Sequence, residues 1–411
     1  MPLIQPFRAL RPIAARAADV AAPPYDVLST DEARARAAGK PWSFLHISKP
    51  EIDLPPATDP YAPAVYAKAV DNLNKMLAAG ILQRDSQPSY YAYRLEMGSH
   101  SQTGFVAAAS VAAYDAGRIK KHEFTRPDKE DDRVRQIEAL NAQTGPVLLA
   151  YPASAAADAL LAKVSGGEPA ARVTADDGIR HTIWVVSDAA LIAEISAAFE
   201  AMPALYIADG HHRSAAASRV AAAKRATGQS GAEQSSDYFL SVIFPHHQMK
   251  IMDYNRVVRD INGLSADEFL AKIAKAYAVT PADGQVKPAC PGEVGLYLPG
   301  RWYRLSIDPQ LFVSDPVARL DVSLLSDHVL GPVLGITDLR RDKRIDFVGG
   351  IRGLGELERR VDSGAMAAAF AMHPTSLKDL MAVADAGQVM PPKSTWFEPK
   401  LADGLVSHVL D

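Results

Sequence analysis

The sequence predicts an α/β protein, with mixed sheets under helical cover and more than one domain. Three observations carry this. The chain has 411 residues, more than one ordinary core accommodates. Apolar runs of strand length alternate with amphipathic helical stretches along most of it. Its composition, 48% apolar and 22% charged, supplies real cores and leaves no room for wholesale disorder. The expected division is an N-terminal α/β domain over residues 1–185 and a C-terminal α/β domain over 186–411.

The elements follow in order. Tandem Pro23 and Pro24 set an extended path into Tyr25 and Asp26. Ser29 or Thr30 then caps a helix, DEARARAAG, with acids in its first turn and Gly39 at its end. FLHIS (44–48) reads as a short strand and YAPAVYAKAVDNLNKMLAAG as an amphipathic helix. YYAYRLEM and TGFVAAASVAAY read as strands, the second closed by Asp115, Ala116 and Gly117. TRPDKEDDR begins as a polar loop, DRVRQIEALNAQ is helical and PVLLAY is a buried strand. RHTIWVV is a strand and DAALIAEISAAFEAM a helix. The strand ALYIAD runs directly into GHHR and the helix SAAASRVAAAKRATG. GQSGAEQSSD is a small, polar, solvated loop. After the strand DYFLSVIFP, residues 264–310 form a helix-plus-hairpin module, and the last hundred residues alternate helix and strand. Alternation of this kind argues for a mixed or parallel sheet.

Several function classes are excluded by composition. A net charge of −4 gives no electrostatic reason to expect nucleic acid or an anionic membrane as partner. The single cysteine, Cys290, allows no disulfide within the chain, and MPLIQPFRALRP has no apolar signal core, so a cytoplasmic location is expected. No run reaches the length of a membrane span. GGIRGLGELE lacks G-x-G-x-x-G spacing, and no P-loop, G-x-S-x-G or H-E-x-x-H motif occurs. The adjacent pairs His211–His212 and His246–His247 are poorly placed to share one zinc ion.

The strongest chemical signal is Asp209-Gly210-His211-His212-Arg213. A glycine lets backbone approach a ligand, and the following helix start offers free N–H groups suited to phosphate. Arg213 can grip an anion with two parallel hydrogen bonds, and Asp209 can accept a proton or hold a metal ion. The bland alternative makes Asp209 an N-cap and the histidines surface groups.

The second signal is Thr125-Arg126-Pro127-Asp128-Lys129-Glu130-Asp131-Asp132-Arg133, preceded by Lys120, Lys121, His122 and Glu123. Alternating acids and bases suit a divalent cation with the phosphates it neutralises. A solvated turn capping the next helix accounts for the charge pattern equally well. Asp26, His46, Asn255 and Arg256 sit at expected strand or turn ends. Lys393 and Ser394, after two prolines, offer a cation and a hydroxyl to phosphate, or simply form a C-terminal turn.

Taken together, PFRALRP, VAAPPYDVLS, SFLHISKPEIDLP, TRPDKEDDR, IADGHHR and MPPKSTWFEPK resemble a bacterial family of conserved proteins grouped as a domain of unknown function. The resemblance spans essentially the whole chain. IADGHHRSAAA also resembles the strand–turn–helix of the ParB and sulfiredoxin-like superfamily, which binds nucleotide phosphates there. Some of its members are kinases of free serine, making O-phosphoserine from ATP or ADP. The resemblance implies a core of that type around DGHHR, with a further α/β domain beside it.

By that resemblance Asp209 is a catalytic acid/base or metal-orienting carboxylate, and His211, His212 and Arg213 contact phosphates or a substrate carboxylate. Glu123 is a candidate catalytic glutamate by motif neighbourhood. The leading expectation is a nucleotide-dependent kinase of a small hydroxyl substrate, best guessed as free serine. ATP or ADP, with CTP a further candidate, serves as donor and Mg2+ as cofactor. Thr125, Arg126, Lys129, Arg133 and Arg213 would bind phosphates, and Asp128 and Asp132 magnesium. A phosphoester hydrolase at the same site, or a non-catalytic nucleotide-binding regulator, are the alternatives. A homodimer is left open.

Overall fold

A computed structural model describes residues 1–227 and 233–411. They form two compact units: Met1–Met249 with Pro399–Asp411, and Lys250–Glu398. The boundary expected near residue 185 falls inside the strand Arg180–Val186, which pairs with Tyr90–Met97 in the sheet that also contains Leu205–Asp209. Strands from both sides of that point share one hydrogen-bonded sheet, so no domain divides there.

The first unit is built on a nine-stranded sheet. Its central order runs Ile119–Lys120, Leu205–Asp209, Val147–Tyr151, Tyr238–Pro245, His100–Ser110, Tyr90–Met97. Leu205–Asp209 lies parallel to Ile119–Lys120 and antiparallel to Val147–Tyr151, so the sheet is mixed, as expected. Its core includes Phe105, Leu149, Phe199, Ile207 and Ile243, all at most 1% exposed. Each buried phenylalanine of this kind contributes roughly 1.5–3 kcal/mol relative to exposure. A second layer forms from the N-terminal helices, where Val20, Ala33, Phe44, Leu45, Ile47 and Leu73 pack together.

Three local expectations are corrected. FLHIS is a single helical turn, Leu45–Ser48, rather than a strand. Leu45, Ile47 and Ser48 are all buried there, so no two-residue alternation exists for a sheet to use. The strand expected through TGFVAAASVAAY stops at Ser110, whose Oγ accepts from the Ala113 N–H at 3.1 Å and starts the helix Val111–Asp115. TRPDKEDDR is mostly helix, because Pro127 takes the first turn of Pro127–Leu140 with Asp128 and Glu130 beside it. The expected loop GQSGAEQSSD falls partly on 228–232, outside the described residues. At the other end, Ser29 makes a full capping box with Glu32.

The second unit holds a six-stranded sheet in the order Tyr277–Ala282, Arg301–Ile307, Glu293–Leu298, Ala368–Met372, Tyr254–Val258, Ile345–Gly349. Every pairing in it is antiparallel. Helix–strand alternation here yields an antiparallel sheet packed against the helix Leu354–Asp362, whose Leu357 and Val361 meet Val257 and Trp302. Cys290 is exposed. Among the described residues, no helix is long and apolar enough to cross a membrane.

Candidate active site

The site grows from the end of the strand Leu205–Asp209. Its register against Val147–Tyr151 shifts between Ile207 and Asp209, an irregularity that re-aims the last side chain. Gly210 then takes φ +98°, a conformation closed to most residues, and opens the helix His211–Ala226. Gly210 has no side chain to cap the first-turn N–H groups, so the positive end of a 16-residue helix faces the site.

Asp209 stands among cations. Its Oδ1 accepts from the Gly210 N–H at 2.9 Å. Its Oδ2 lies 3.6 Å from Arg213 Nη2 and 3.7 Å from Lys400 Nζ. Burial pushes the carboxyl up, but Lys400 and Arg213 outweigh it and hold the group at about 2. Asp209 is therefore a fixed anion at neutral pH and a weak base.

Arg213 is buried, 9% exposed, and links several groups. Its Nη1 donates to the Pro146 carbonyl, and its Nη2 sits 3.7 Å from Asp26 Oδ2. Burial opposes its charge, yet Asp26 and Asp209 keep it protonated well above the ordinary range.

The two motifs meet. The Arg126 N–H donates to His212 Nε2 at 3.0 Å, and the helices Pro127–Leu140 and His211–Ala226 pack through Ile137, Ala216 and Val220. Arg219 of the second helix pairs with Glu130 and Asp131 of the first, at 3.0 and 2.8 Å. Arg133 lies over the Tyr25 ring with its guanidinium carbon 3.9 Å from the centroid, and it holds Asp132 at 2.6 Å.

Behind Arg213 lies a cavity, about 440 Å3 of non-atom space that opens in part to solvent, lined by Tyr25, Ser48, Arg133, Gln136, Gln143 and Asp403 among others. Gly145 lets this wall close up, since a Cβ there would stand 3.3 Å from Arg213 Cδ and 3.6 Å from Asp403 Oδ1. Asp403 is 2% exposed, and burial raises its carboxyl to about 7, with Arg213 only partly opposing. Its Oδ1 and Ser48 Oγ are buried without hydrogen-bond partners among the described residues.

Sequence reading missed Asp403 and Lys400. The triplet Ala-Asp-Gly occurs at 208–210, 282–284 and 402–404, so it does not by itself single out Asp403. The backbone pairing of Ala22 with Asp403, together with a hydrogen bond from the Tyr25 N–H to the Asp403 carboxylate, brings the latter beside Tyr25.

Other expected residues stand in different roles. His211 is 4% exposed and, with burial and then His122 lowering it well below the usual range, is a neutral imidazole rather than a phosphate cation. Burial lowers His212 too. Arg126 is exposed and pairs with Asp128 at 2.9 Å. Lys129 donates to Tyr61 Oη at 2.6 Å, and Thr125 to Glu130 at 2.9 Å.

The two acids expected to hold magnesium stand in different surroundings. Asp132 is 7% exposed and takes hydrogen bonds from Tyr66 at 2.8 Å and from Arg133, while Asp128 faces Arg126. Both oxygens of Asp132 are engaged by Tyr66 and Arg133, whereas Asp128 is about half exposed and pairs with Arg126.

His46 is fixed between Asp53 at 2.8 Å and the Lys40 carbonyl at 3.1 Å, a structural tie. Asn255, Arg256, Lys393 and Ser394 belong to the second unit. There Asn255 accepts from the Met372 N–H at 2.9 Å, Arg256 donates to the Tyr254 and Lys393 carbonyls, and Ser394 donates to Pro391 at 2.6 Å. The Asn255, Arg256 and Ser394 side chains thus hold backbone in place, while the exposed Lys393 ammonium lies 5.8 Å from the Tyr254 ring centroid.

Fold and site together define a mixed α/β protein with a cationic helix-start turn beside a polar cavity. The chain belongs to the family described as "Protein of unknown function (DUF1015)", whose model matches residues 4–323. No curated protein matches it. Among solved structures it is similar to a free serine kinase in complex with AMP, at 14% identity and TM-score 0.35, over 73% of this chain and 92% of that one. A conserved hypothetical protein from Pyrococcus furiosus matches at 15% identity and TM-score 0.35, over 73% and 94%. SbnI from Staphylococcus aureus, with a C-terminal truncation, matches at 11% identity and TM-score 0.36, over 73% and 86%. A likeness of this size decides neither fold nor chemistry.

Proposed function

We propose that the first unit is a nucleotide-dependent kinase that transfers a phosphoryl group to a small hydroxyl acceptor. One observation carries the reading. Arg213, flanked by Asp26 and Asp209 at a helix start, shares a cavity wall with Arg133 and a carboxyl poised near neutrality, Asp403. Fixed cations and a helix N-terminus stabilise charge on a transferring phosphoryl group without reorganising during reaction.

In this reading Lys400, Arg213 and the first-turn N–H groups hold the donor's phosphates, and Asp209 fixes those cations in place. The acceptor oxygen forms a bond to the terminal phosphorus as the bond from that phosphorus to its bridging oxygen breaks. The acceptor proton passes to Asp403, whose pKa near 7 suits a base at neutral pH far better than Asp209 at about 2. ATP or ADP is the proposed donor and CTP a further candidate. Free serine is the proposed acceptor, on the resemblance of the DGHHR turn to the ParB and sulfiredoxin-like type, which also suggests the core fold. His212, Arg126 and Lys129 stand at the outer rim, and Asp128 and Asp132 serve in no step.

The test is incubation of purified protein with serine, magnesium and labelled ATP, ADP or CTP, read by 31P NMR and mass spectrometry. O-phosphoserine is the expected product. Phosphate release without acceptor would favour a hydrolase, and binding without turnover a regulator. Failure to bind any nucleotide would retire the kinase reading.

A further inference from the structure

We propose that His122, Glu123 and His211 form a binding site for one divalent first-row transition ion of the zinc class. Each offers one donor atom, and the three atoms lie within 4.8 Å of one another. Two imidazoles and a carboxylate are a ligand set that such ions accept, with a fourth position left for water or substrate.

The second observation is an orphaned atom. His122 is 2% exposed, and its Nδ1 is buried without a hydrogen-bond partner among the described residues. A buried lone pair of this kind is costly unless something binds it. The ring is also oriented in the manner of a metal ligand. Its other nitrogen is tied to the backbone of Ile207, which fixes the proton there and leaves the Nδ1 lone pair bare.

The remaining distances agree. His211 Nδ1 lies 3.8 Å from Glu123 Oε2, too long for a hydrogen bond. Two ligand atoms about 2.0–2.1 Å from one tetrahedral ion sit about 3.4 Å apart, so a small inward movement closes this pair around a cation. The rings of His122 and His211 meet edge to face, with centroids 4.5 Å apart. The backbone N–H of His122 makes a long contact, 3.4 Å, to His211 Nε2; an ion on His211 Nδ1 moves the ring proton to Nε2 and gives up this weak contact. Glu123 is half exposed and gives an entry path.

The site exists only through tertiary structure. Lys120 pairs with Tyr206 in parallel strands, which brings the residues just after each, His122–Glu123 and His211, to the same sheet end. It stands apart from the acids expected to hold magnesium, and it does not depend on the kinase reading.

Tag-free, metal-depleted protein should be titrated with Zn2+ and with Co2+, without nucleotide or acceptor, by calorimetry and visible absorption. The expected result is one ion per chain, with the intense visible bands of low-coordinate Co2+. His122→Ala and Glu123→Gln should each weaken binding by more than the ~10–100-fold typical of losing an outer-shell partner. Should His122→Ala fail to fold, Glu123→Gln, altered at a half-exposed position, decides alone. No ion uptake by the wild-type chain, or uptake unchanged in Glu123→Gln, overturns the proposal. Neither outcome bears on phosphoryl transfer.

Discussion

Arg213 reaches Asp26, with Nη2 3.7 Å from Asp26 Oδ2, and so ties the proline-rich N-terminal segment to the turn after the strand Leu205–Asp209. That pair makes the site a product of both ends of the first unit. Asp403, from the C-terminal segment, closes the same group from another side.

Replacing Arg213 tests this convergence. Arg213→Met leaves Asp26 and Asp209 facing each other without their shared cation. The guanidinium is buried but both carboxylates are 39% exposed, so solvent screens the loss to less than the about 3–5 kcal/mol of a fully buried pair, and the urea midpoint should fall by that smaller amount. Arg213→Lys keeps the charge but loses the planar fork, and nucleotide affinity by calorimetry should drop about tenfold. A Met variant as stable as wild type would remove the structural basis of the site.

Asp403 makes stability depend on pH. Its folded pKa is raised to about 7, so the folded chain binds a proton that the unfolded chain has already released. Stability from this group is full below the unfolded value, near pH 4, and is lost as pH rises through 7. The span corresponds to about 4 kcal/mol at most, at about 1.4 kcal/mol per pH unit. Asp403→Asn should flatten the decline in stability between pH 4 and 7, measured by denaturant unfolding. An unchanged slope in the variant would assign it to other groups.

The same variant separates proton acceptance from binding. Asp403→Asn should lower kcat by roughly 10²–10⁴ and abolish the rise of activity through pH 7. Nucleotide affinity should change little, because the proposed phosphate-binding groups are Arg213 and Lys400. Equal losses in kcat and affinity would indicate a structural role only.

Asp209→Asn has the opposite signature. Without the anion, Arg213 and Lys400 repel and lose their alignment, and misplacement on the ångström scale costs about 100-fold in turnover. A nucleotide brings negative charge of its own, so its affinity should stay level or rise. A large fall in affinity would mean that Asp209 contacts the ligand through a bound cation.

Gly210→Ala probes the turn itself. At φ +98° a side chain is strained, and the added Cβ would meet Arg213 Nε at 3.1 Å and Val147 Cα at 3.3 Å. Destabilisation of about 1–3 kcal/mol is expected, with loss of the nucleotide-induced thermal shift. An unaffected shift would show that backbone approach at this turn is unimportant.

Much was legible in the linear chain. The strand–glycine–helix turn at Asp209–Arg213 was, because a buried strand, a glycine and a helix start are each local signals. The helix after Pro127 was visible, but its start was placed too late because charge density masked the proline at its first turn. FLHIS misled because five residues are too few to reveal a period. Asp132 read as a metal ligand, since sequence cannot show that Tyr66 and Arg133 would claim its oxygens.

Composition and local pattern by themselves determined the α/β class, the position of the turn and the family resemblance, since periodicity, capping and glycine placement act over a few residues. Tertiary structure alone decided the partners: Asp26 and Asp403 around Arg213, Lys400 against Asp209, and His122 with Glu123 against His211. Charge pairing and desolvation depend on distances in space, which are set by strand order and register. Those are fixed by the whole sheet's packing and not by neighbours in the chain.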